Sequence, residues 1–230
     1  MKDNIVFKRF LAYLIDFFVV AAIASCISYI PFLNPEREHY ASKYNEVMEL
    51  FNQYEQEEIS KEDYEKEYIS LSYELNRLNI NYMVINLIVM IAYFGVYQWQ
   101  AQGQTIGKRV MKIKVVTKMG DSNPRFLAYF VRTVVLNNII ITALQMGVIL
   151  LFQGDTYYKL YSNINLVGYV LLYILLFLLL VRVDHCGLHD LIASTKVVDM
   201  KKAKEDTILE AQYEEVGKQK AKKKSTKTKK

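Results

Sequence analysis

The sequence predicts an all-α integral membrane protein: a bundle of four transmembrane helices with an extracytoplasmic helical hairpin and a small cytoplasmic β-pair. Apolar residues make up 52% of the chain and are gathered into four long runs, and most of the charged residues lie between these runs. A run of about 18 or more apolar residues can cross the hydrocarbon core as a helix. Helices are the expected form because lipid offers no partner for open backbone groups. The predicted spans are about 10–32, 80–98, 127–152 and 164–183.

The four runs differ in how many charged residues they tolerate. The fourth run, 164–183, has no charged residue before its last turn and is the clearest membrane signal. The first run holds Asp16, and the third holds Arg132. A charged side chain in the middle of a membrane helix costs roughly 3 kcal/mol to insert and normally faces a partner or a watery cavity. Asp16 and Arg132 are therefore the first candidates for a buried site.

The basic residues predict the orientation of the chain, because lysine and arginine near the ends of membrane helices mark the cytoplasmic side. Three precede the first run, six lie in the connection 99–126, and thirteen lie from Arg182 to the C-terminus. The connection 34–79 has five, and the connection between the last two runs has only Lys159. Both termini and the middle connection are therefore predicted to be cytoplasmic.

The connection 34–79 is predicted to form the helical hairpin outside the membrane. It carries twelve acids and five bases, and its apolar residues recur at helical spacing. Ser60 and Asp63 have the spacing of a capping box that opens the second helix. The acidic surface is interpreted as a solvated face, although it could also attract cations. The two apolar seams, which are predicted to pack together, are Tyr40, Tyr44, Val47, Phe51 and Tyr54 in the first helix and Tyr64, Tyr68, Leu71, Leu75 and Leu78 in the second.

The middle connection contains the segment GQTIGKRVMKIKVV, which is like a phosphate-binding loop only in composition. Three residues separate Gly103 from Gly107 where such a loop has four, and Lys108 is followed by arginine instead of serine or threonine. The two glycines are predicted to form a tight turn instead. The stretch 112–115 then alternates polar and apolar residues as a half-buried strand does, and 195–198 has similar β-branched character. These two stretches are predicted to pair as the cytoplasmic sheet.

Three motifs carry a resemblance to a known family. The first run opens with RFLAYLID, the middle connection holds GQTIGKRVMKIKVV, and the segment after the last run reads HDLIASTKVVD. In this order they resemble the RDD family of bacterial membrane proteins, named for one arginine and two aspartates. The resemblance extends from Arg9 to about Asp199, with the acidic hairpin as an insertion in a variable loop. It implies that Arg9, Asp16 and Asp190 are the family's three charges. It also implies a bacterial plasma-membrane location and transport, with cation–proton exchange proposed for some members.

The charged residues are predicted to form a cluster near the cytoplasmic face. Arg9 and Asp16 are two helical turns apart and share a helix face, with roughly 10 Å of rise between them. Asp16 is predicted to pair with Arg132, which lies at a comparable depth in the third run, and Asp190 is predicted to join Arg9. The residues expected to support this cluster are Arg132, Gly103, Thr105, Gly107, Lys108 and His189.

Two functions from different classes fit this cluster. In the first, the chain is a secondary transporter or cation–proton exchanger that uses Asp16 as its charged site and works as a homo-oligomer. In the second, it is a non-catalytic scaffold or partner-binding protein whose buried charges only hold helices together, since removing one partner would leave a costly unpaired charge. Transporters commonly have broken helices near the membrane midplane. The sparse glycine and the absence of proline from the middle of these runs argue against such breaks.

Other partners and chemistries are not expected. No nucleophile stands beside an evident base, so the chain is not predicted to be an enzyme. No cofactor or metal site is predicted, because Gly187 interrupts the group formed by His185, Cys186, His189 and Asp190. The lysine-rich tail 200–230 is predicted to be disordered and to lie against anionic lipid headgroups. Nucleic acid is not an expected partner, because no aromatic residues are interleaved with the final lysines.

Overall fold

A computed structural model describes residues 5–119 and 122–200. The predicted lysine-rich tail therefore lies, apart from Met200, outside the described residues. In chain order the elements are α1 (Ile5–Ser28), α2 (Arg37–Glu55), α3 (Lys61–Leu78), α4 (Ile80–Gln100), α5 (Ile106–Val110), β1 (Ile113–Thr117), α6 (Phe126–Leu136), α7 (Ile139–Leu151), α8 (Gly154–Val181), α9 (Leu188–Ile192) and β2 (Thr195–Asp199).

The apolar helices agree with the predicted spans in part. In the described part of the chain, α1, α4 and α8 are each long and apolar enough to cross a membrane. The third predicted run is divided into α6 and α7, whose axes are bent by 58° at the break between them. The count is therefore three spans, or four if the bent pair is one span. Helix α8 begins at Gly154, well before the predicted start, so Lys159 lies on this helix and not in a loop.

The break in the third run corrects the prediction of one continuous helix. Asn138 has a positive φ of 50°, in the left-handed region that asparagine tolerates better than most residues. The side-chain amide of Asn137 donates to the Thr133 carbonyl at 3.1 Å, and that of Asn138 donates to the Gly168 carbonyl at 3.3 Å. These amide groups therefore bond to backbone carbonyls around the bend.

Helix α4 contains a π-helical segment at Ile91–Tyr97. Such widened turns occur mostly as short segments inside α-helices and are frequent at functional sites. The segment packs against α6, and its residues Tyr93, Phe94 and Gly95 are buried. The widened turn belongs to the part of α4 that faces the charged residues of α1.

The predicted hairpin is confirmed as α2 and α3, which pack against each other. Ser60 caps α3, since its hydroxyl accepts a hydrogen bond from the backbone N–H of Asp63 at 3.1 Å. The rings of Tyr54 and Tyr64 stack between the two helices with their centroids 4.5 Å apart. Helix α3 also packs on α8, where Asn76 donates to the hydroxyl of Tyr157 at 2.8 Å. The hairpin is therefore joined to the membrane helices and is not a free appendage.

The predicted β-pair is also confirmed. Strands β1 and β2 are antiparallel, with Val115 opposite Val197. Gly103 has a φ of 92°, and a Cβ there would collide with the carbonyl of Val115, so only glycine fits this turn. The sheet follows the end of α4, whereas the hairpin precedes its start, so the two lie at opposite ends of this helix. We call the end with the β-strands the sheet end of the bundle.

Candidate functional site at the sheet end of the bundle

Asp16 is a buried carboxylate on α1, with 1% of its surface exposed. Its Oδ1 accepts hydrogen bonds from the hydroxyl of Tyr93 at 2.6 Å and from the backbone N–H of Gly107 at 2.8 Å. Its Oδ2 accepts from the hydroxyl of Thr105 at 2.5 Å. Both oxygens are therefore bonded, and all three donors are uncharged groups.

The position of α5 explains why Thr105 and Gly107 are needed here. Thr105 is the N-cap of α5 and aims its hydroxyl at Asp16. A Cβ at Gly107 would collide with the carbonyl of Ala12, so glycine allows α5 to lie directly on α1. The predicted tight turn therefore involves Gly103 but not Gly107, which lies inside the helix.

Tyr93 is a member of this site that the sequence reasoning missed. Its hydroxyl donates to Asp16 and accepts from the backbone N–H of Ile106 at 3.0 Å. It thereby links the π-helical segment of α4 to both α1 and α5. The available signal was a tyrosine in the middle of an apolar span, because a buried tyrosine hydroxyl usually finds a polar partner.

Asp190 is the second buried carboxylate, and it binds two arginines. Arg9 on α1 and Arg132 on α6 each donate to it, and the backbone N–H of Gly187 adds a third bond at 3.0 Å. Burial by itself raises the pKa of Asp190, but the positive charges of Arg132 and Arg9 outweigh it and hold the pKa well below its usual value. Asp190 is therefore ionised at any physiological pH and holds α1, α6 and α9 together.

This geometry confirms one predicted pair and corrects the other. Arg9 binds Asp190 as expected. Arg132 was predicted to bind Asp16, but it binds Asp190 and the hydroxyl of Thr195, the latter at 2.5 Å. The reason is the sheet, since the pairing of β2 with β1 brings the segment 187–195 against the end of α6.

His189 is neutral and serves as an acceptor. Its Nε2 lies 3.1 Å from Nη2 of Arg9, and because a guanidinium can only donate, Nε2 must accept. Burial lowers the pKa of His189 to about 3, which agrees with the neutral form. The other ring nitrogen, Nδ1, then carries the proton and has no hydrogen-bond partner among the described residues.

Lys108 is the titratable base of the site. Its Nζ lies 3.4 Å from the hydroxyl oxygen of Thr105, which in turn donates to Asp16. Burial lowers the pKa of Lys108 from 10.5 to about 7, with the negative charge of Asp16 opposing this shift and the positive charge of Arg132 adding to it. Lys108 therefore changes its charge near neutral pH, and Thr105 connects it to the Asp16 carboxylate.

Eight of the nine predicted residues thus form two neighbouring groups instead of one cluster. Thr105, Gly107 and Lys108 surround Asp16, and Arg9, Arg132 and His189 surround Asp190, whereas Gly103 supports the sheet. The two groups meet at a cavity of about 130 Å³. The cavity is lined by Arg9, Phe10, Tyr13, Lys108, Ile113, Arg132, Leu136, Leu172, Leu175, Leu176, Leu179, His189 and Val197.

The fold and this site define a helical membrane protein with two buried aspartates and three basic side chains gathered at one end. A comparison with family models identifies the group within that class. The model of the RDD family matches residues 5–194, so the chain belongs to the RDD family. Arg9, Asp16 and Asp190 all lie within the matched residues. No curated protein and no solved structure matches the chain.

Proposed function

We propose that this RDD-family membrane protein is a secondary transporter that exchanges a monovalent cation for a proton. In this proposal Asp16 binds the cation and Lys108 binds the proton. The observation that carries the proposal is the connection from Lys108 through the Thr105 hydroxyl to Asp16. It joins a base with a pKa of about 7 to a buried carboxylate whose hydrogen-bond donors are all uncharged.

The exchange follows from the charges of these two side chains. When Lys108 is protonated, its positive charge balances Asp16 and weakens the attraction of the carboxylate for a cation. When Lys108 loses its proton, the carboxylate charge is no longer balanced by that lysine, and a cation can replace the proton. The oxygens of Asp16, Thr105 and Tyr93 supply the hard ligands that such a cation prefers. One proton leaves for each cation that binds, so the site keeps its net charge.

Two features of the helices support transport over a purely structural role. The third span is broken at Asn138, and α4 widens into a π-helical segment at Tyr93. Interrupted helices are typical of the substrate sites of secondary transporters. The expectation that sparse glycine would leave the helices unbroken was wrong, because asparagine takes the left-handed conformation here. With so few spans, we further propose that the protein works as a homo-oligomer.

Flux in liposomes tests the proposal. Purified protein is reconstituted, a pH gradient is applied, and the uptake of Na⁺, K⁺ and Li⁺ is measured. Wild type is expected to take up at least one of these ions, and Asp16→Asn is expected to abolish uptake while still inserting. Asp155→Asn is the matched control, because Asp155 is an exposed acid in the first turn of α8 and should leave uptake unchanged. If wild type moves none of the three ions, the exchanger proposal is wrong.

We also propose that the protein resides in the bacterial plasma membrane with the sheet end of the bundle in the cytoplasm. Single cysteines can test this in a background without Cys26 and Cys186. Glu58→Cys, at the exposed turn of the hairpin, should react with a membrane-impermeant maleimide on intact cells. Lys118→Cys, exposed at the end of β1, should react only after permeabilisation. If Lys118→Cys reacts on intact cells and Glu58→Cys reacts only after permeabilisation, the proposed orientation is wrong.

A scaffold role is the second candidate, and the pairing of Asp190 with two arginines favours it. Those charges are already balanced, so they fit a clamp between helices better than a transport site. In that case the hairpin α2–α3 would provide the interaction surface. Removing its exposed acids should then release a co-purifying partner without affecting membrane insertion, and wild type should show no ion flux.

A further inference from the structure

The cavity at the sheet end has an apolar wall formed by one face of α8. Leu172, Leu175, Leu176 and Leu179 follow the spacing i, i+3, i+4 and i+7, which places them on one side of a helix. Leu172 and Leu176 are still 42% and 44% exposed in the folded chain. The protein therefore leaves an apolar stripe on this face of α8 that it only partly covers.

The cavity lies between two membrane helices that have little contact with each other. Helix α1 packs mainly on α4 and α5, whereas α8 packs on α7, α3 and α9. The cavity is lined from the α1 side by Phe10 and Tyr13, which are 56% and 37% exposed. Because both flanking helices are candidate membrane spans, lipid can reach the gap between them.

The opposite part of the lining is positively charged. Arg9, Lys108 and Arg132 all line the cavity. Among the described residues, the hydrogen bonds that Arg132 donates come from Nη1. Its Nη2 and Nε are therefore left for another acceptor. With Lys108 protonated and His189 neutral, these three bases face two aspartates, Asp16 and Asp190, so the site carries an excess positive charge.

We propose that this cavity binds an anionic phospholipid from the leaflet at the sheet end of the bundle. Its phosphate lies against Arg9, Lys108 and Arg132, and one acyl chain follows the leucine face of α8. Arginine pairs with phosphate through parallel N–H bonds, which makes it a strong ligand for such a headgroup. A free anion would leave the leucines uncovered, and a neutral lipid would leave the excess charge unbalanced. Only a molecule with both a negative headgroup and an acyl chain matches both the basic wall and the leucine wall of the cavity.

The proposal does not depend on cation exchange, but it has a consequence for it. A phosphate beside Lys108 would raise the pKa of that side chain. Under the proposed function, anionic lipid would then shift the pH at which a cation displaces the proton to a higher value. If the protein binds the lipid but moves no cation, the lipid-binding proposal stands and the cation-exchange proposal is wrong.

Lipid binding to the full-length protein in detergent provides the test. The probes are dioleoylphosphatidylglycerol, dioleoylphosphatidylcholine and inorganic phosphate, and binding is followed by native mass spectrometry and by the shift in Tm. Phosphatidylglycerol is expected to bind and to raise the Tm, and the other two probes are not. Equal binding of the two lipids would overturn the proposal. An equal effect of inorganic phosphate alone would show a site for a free anion instead.

Paired variants locate the lipid at this cavity. Leu176→Trp fills the groove and should weaken phosphatidylglycerol binding about tenfold, equivalent to roughly 1.4 kcal/mol. Leu180→Trp is the matched control, because Leu180 is on the same helix, is 66% exposed and does not line the cavity. The lysine-rich tail is identical in both variants, so its own attraction for anionic lipid cancels. Equal binding by the two variants would place the lipid elsewhere and overturn the proposal.

Lys108→Gln tests the charged wall separately. It should also weaken phosphatidylglycerol binding, whereas Lys159→Gln, at an exposed position on α8, should not. Like wild type, neither lysine variant should bind phosphatidylcholine. If Lys108→Gln binds phosphatidylglycerol as well as wild type does, the headgroup does not lie where we propose.

Discussion

The two buried aspartates of this protein lie at the same end of the bundle and have opposite surroundings. Asp190 binds two arginines, Arg9 and Arg132. Asp16 binds a tyrosine hydroxyl, a threonine hydroxyl and a backbone N–H, and the base connected to it is Lys108, whose charge changes near neutral pH. Two aspartates of one family motif therefore have different kinds of partner. Under the proposed function, the partners of each aspartate, and not its burial, distinguish the clamp at Asp190 from the cation site at Asp16.

The largest effect on stability is expected for Asp190→Asn. The substitution leaves Arg9 and Arg132 buried without their counter-charge, and loss of one partner of a buried pair costs about 3–5 kcal/mol. The Tm in detergent should fall sharply. Asp184→Asn is the control, because Asp184 pairs with Arg182 in an exposed position where such pairs contribute little. If the Asp190 and Asp184 variants are equally stable, Asp190 is not a clamp.

The next largest effect is expected for Gly107→Ala, which tests how α5 presents its residues to Asp16. The new Cβ would collide with the carbonyl of Ala12 and push α5 away from α1, with a loss of roughly 1–3 kcal/mol typical of overpacking. The Tm and the rate of cation uptake should both fall. Gly147→Ala, where a Cβ would meet nothing within 4 Å, should be neutral or slightly stabilising. Equal stability of the two variants would contradict the close approach of α5.

A smaller loss of stability is expected for Asp16→Asn. An amide can keep one oxygen towards Tyr93 and Gly107 and turn its NH₂ towards the Thr105 hydroxyl, which can accept. The cost should be about 1 kcal/mol, close to that of one altered hydrogen bond. The Tm of Asp16→Asn is measured beside that of Asp190→Asn, and the fall from wild type should be smaller for Asp16→Asn. A loss as large as that of the Asp190 variant would mean that Asp16 too is mainly a structural charge.

The smallest effect on stability and the clearest effect on pH dependence are expected at Lys108. In wild type, cation uptake should rise as the pH increases through about 7, because Lys108 loses its proton there. Lys108→Arg stays protonated and should give low uptake at every pH. Lys108→Gln cannot bind the proton, so cation binding at Asp16 should no longer depend on pH between about 6 and 8. An unchanged pH profile in Lys108→Gln would assign the proton to another group.

Several local features could be predicted well from the sequence because they depend on neighbours along the chain. The capping of α3 by Ser60 needs only a hydroxyl three residues before Asp63. The strand character of 112–115 and 195–198 followed from alternation and β-branched residues, and the expected pairing of the two strands is confirmed. The break at Asn138 could not be predicted in this way, because the bonded partner of its side chain, Gly168, is thirty residues away on another helix.

The sequence by itself determined that the chain belongs in a membrane, where its apolar runs lie and which residues carry the charges. These properties follow from local composition and from the cost of placing charge in lipid. Only the tertiary structure decided that Arg132 joins Asp190 and that Tyr93, Thr105 and Gly107 surround Asp16. Those partners lie 58 to 91 residues apart in the chain, so their pairing depends on how the sheet, α5 and the π-helical segment fold against α1 and α6.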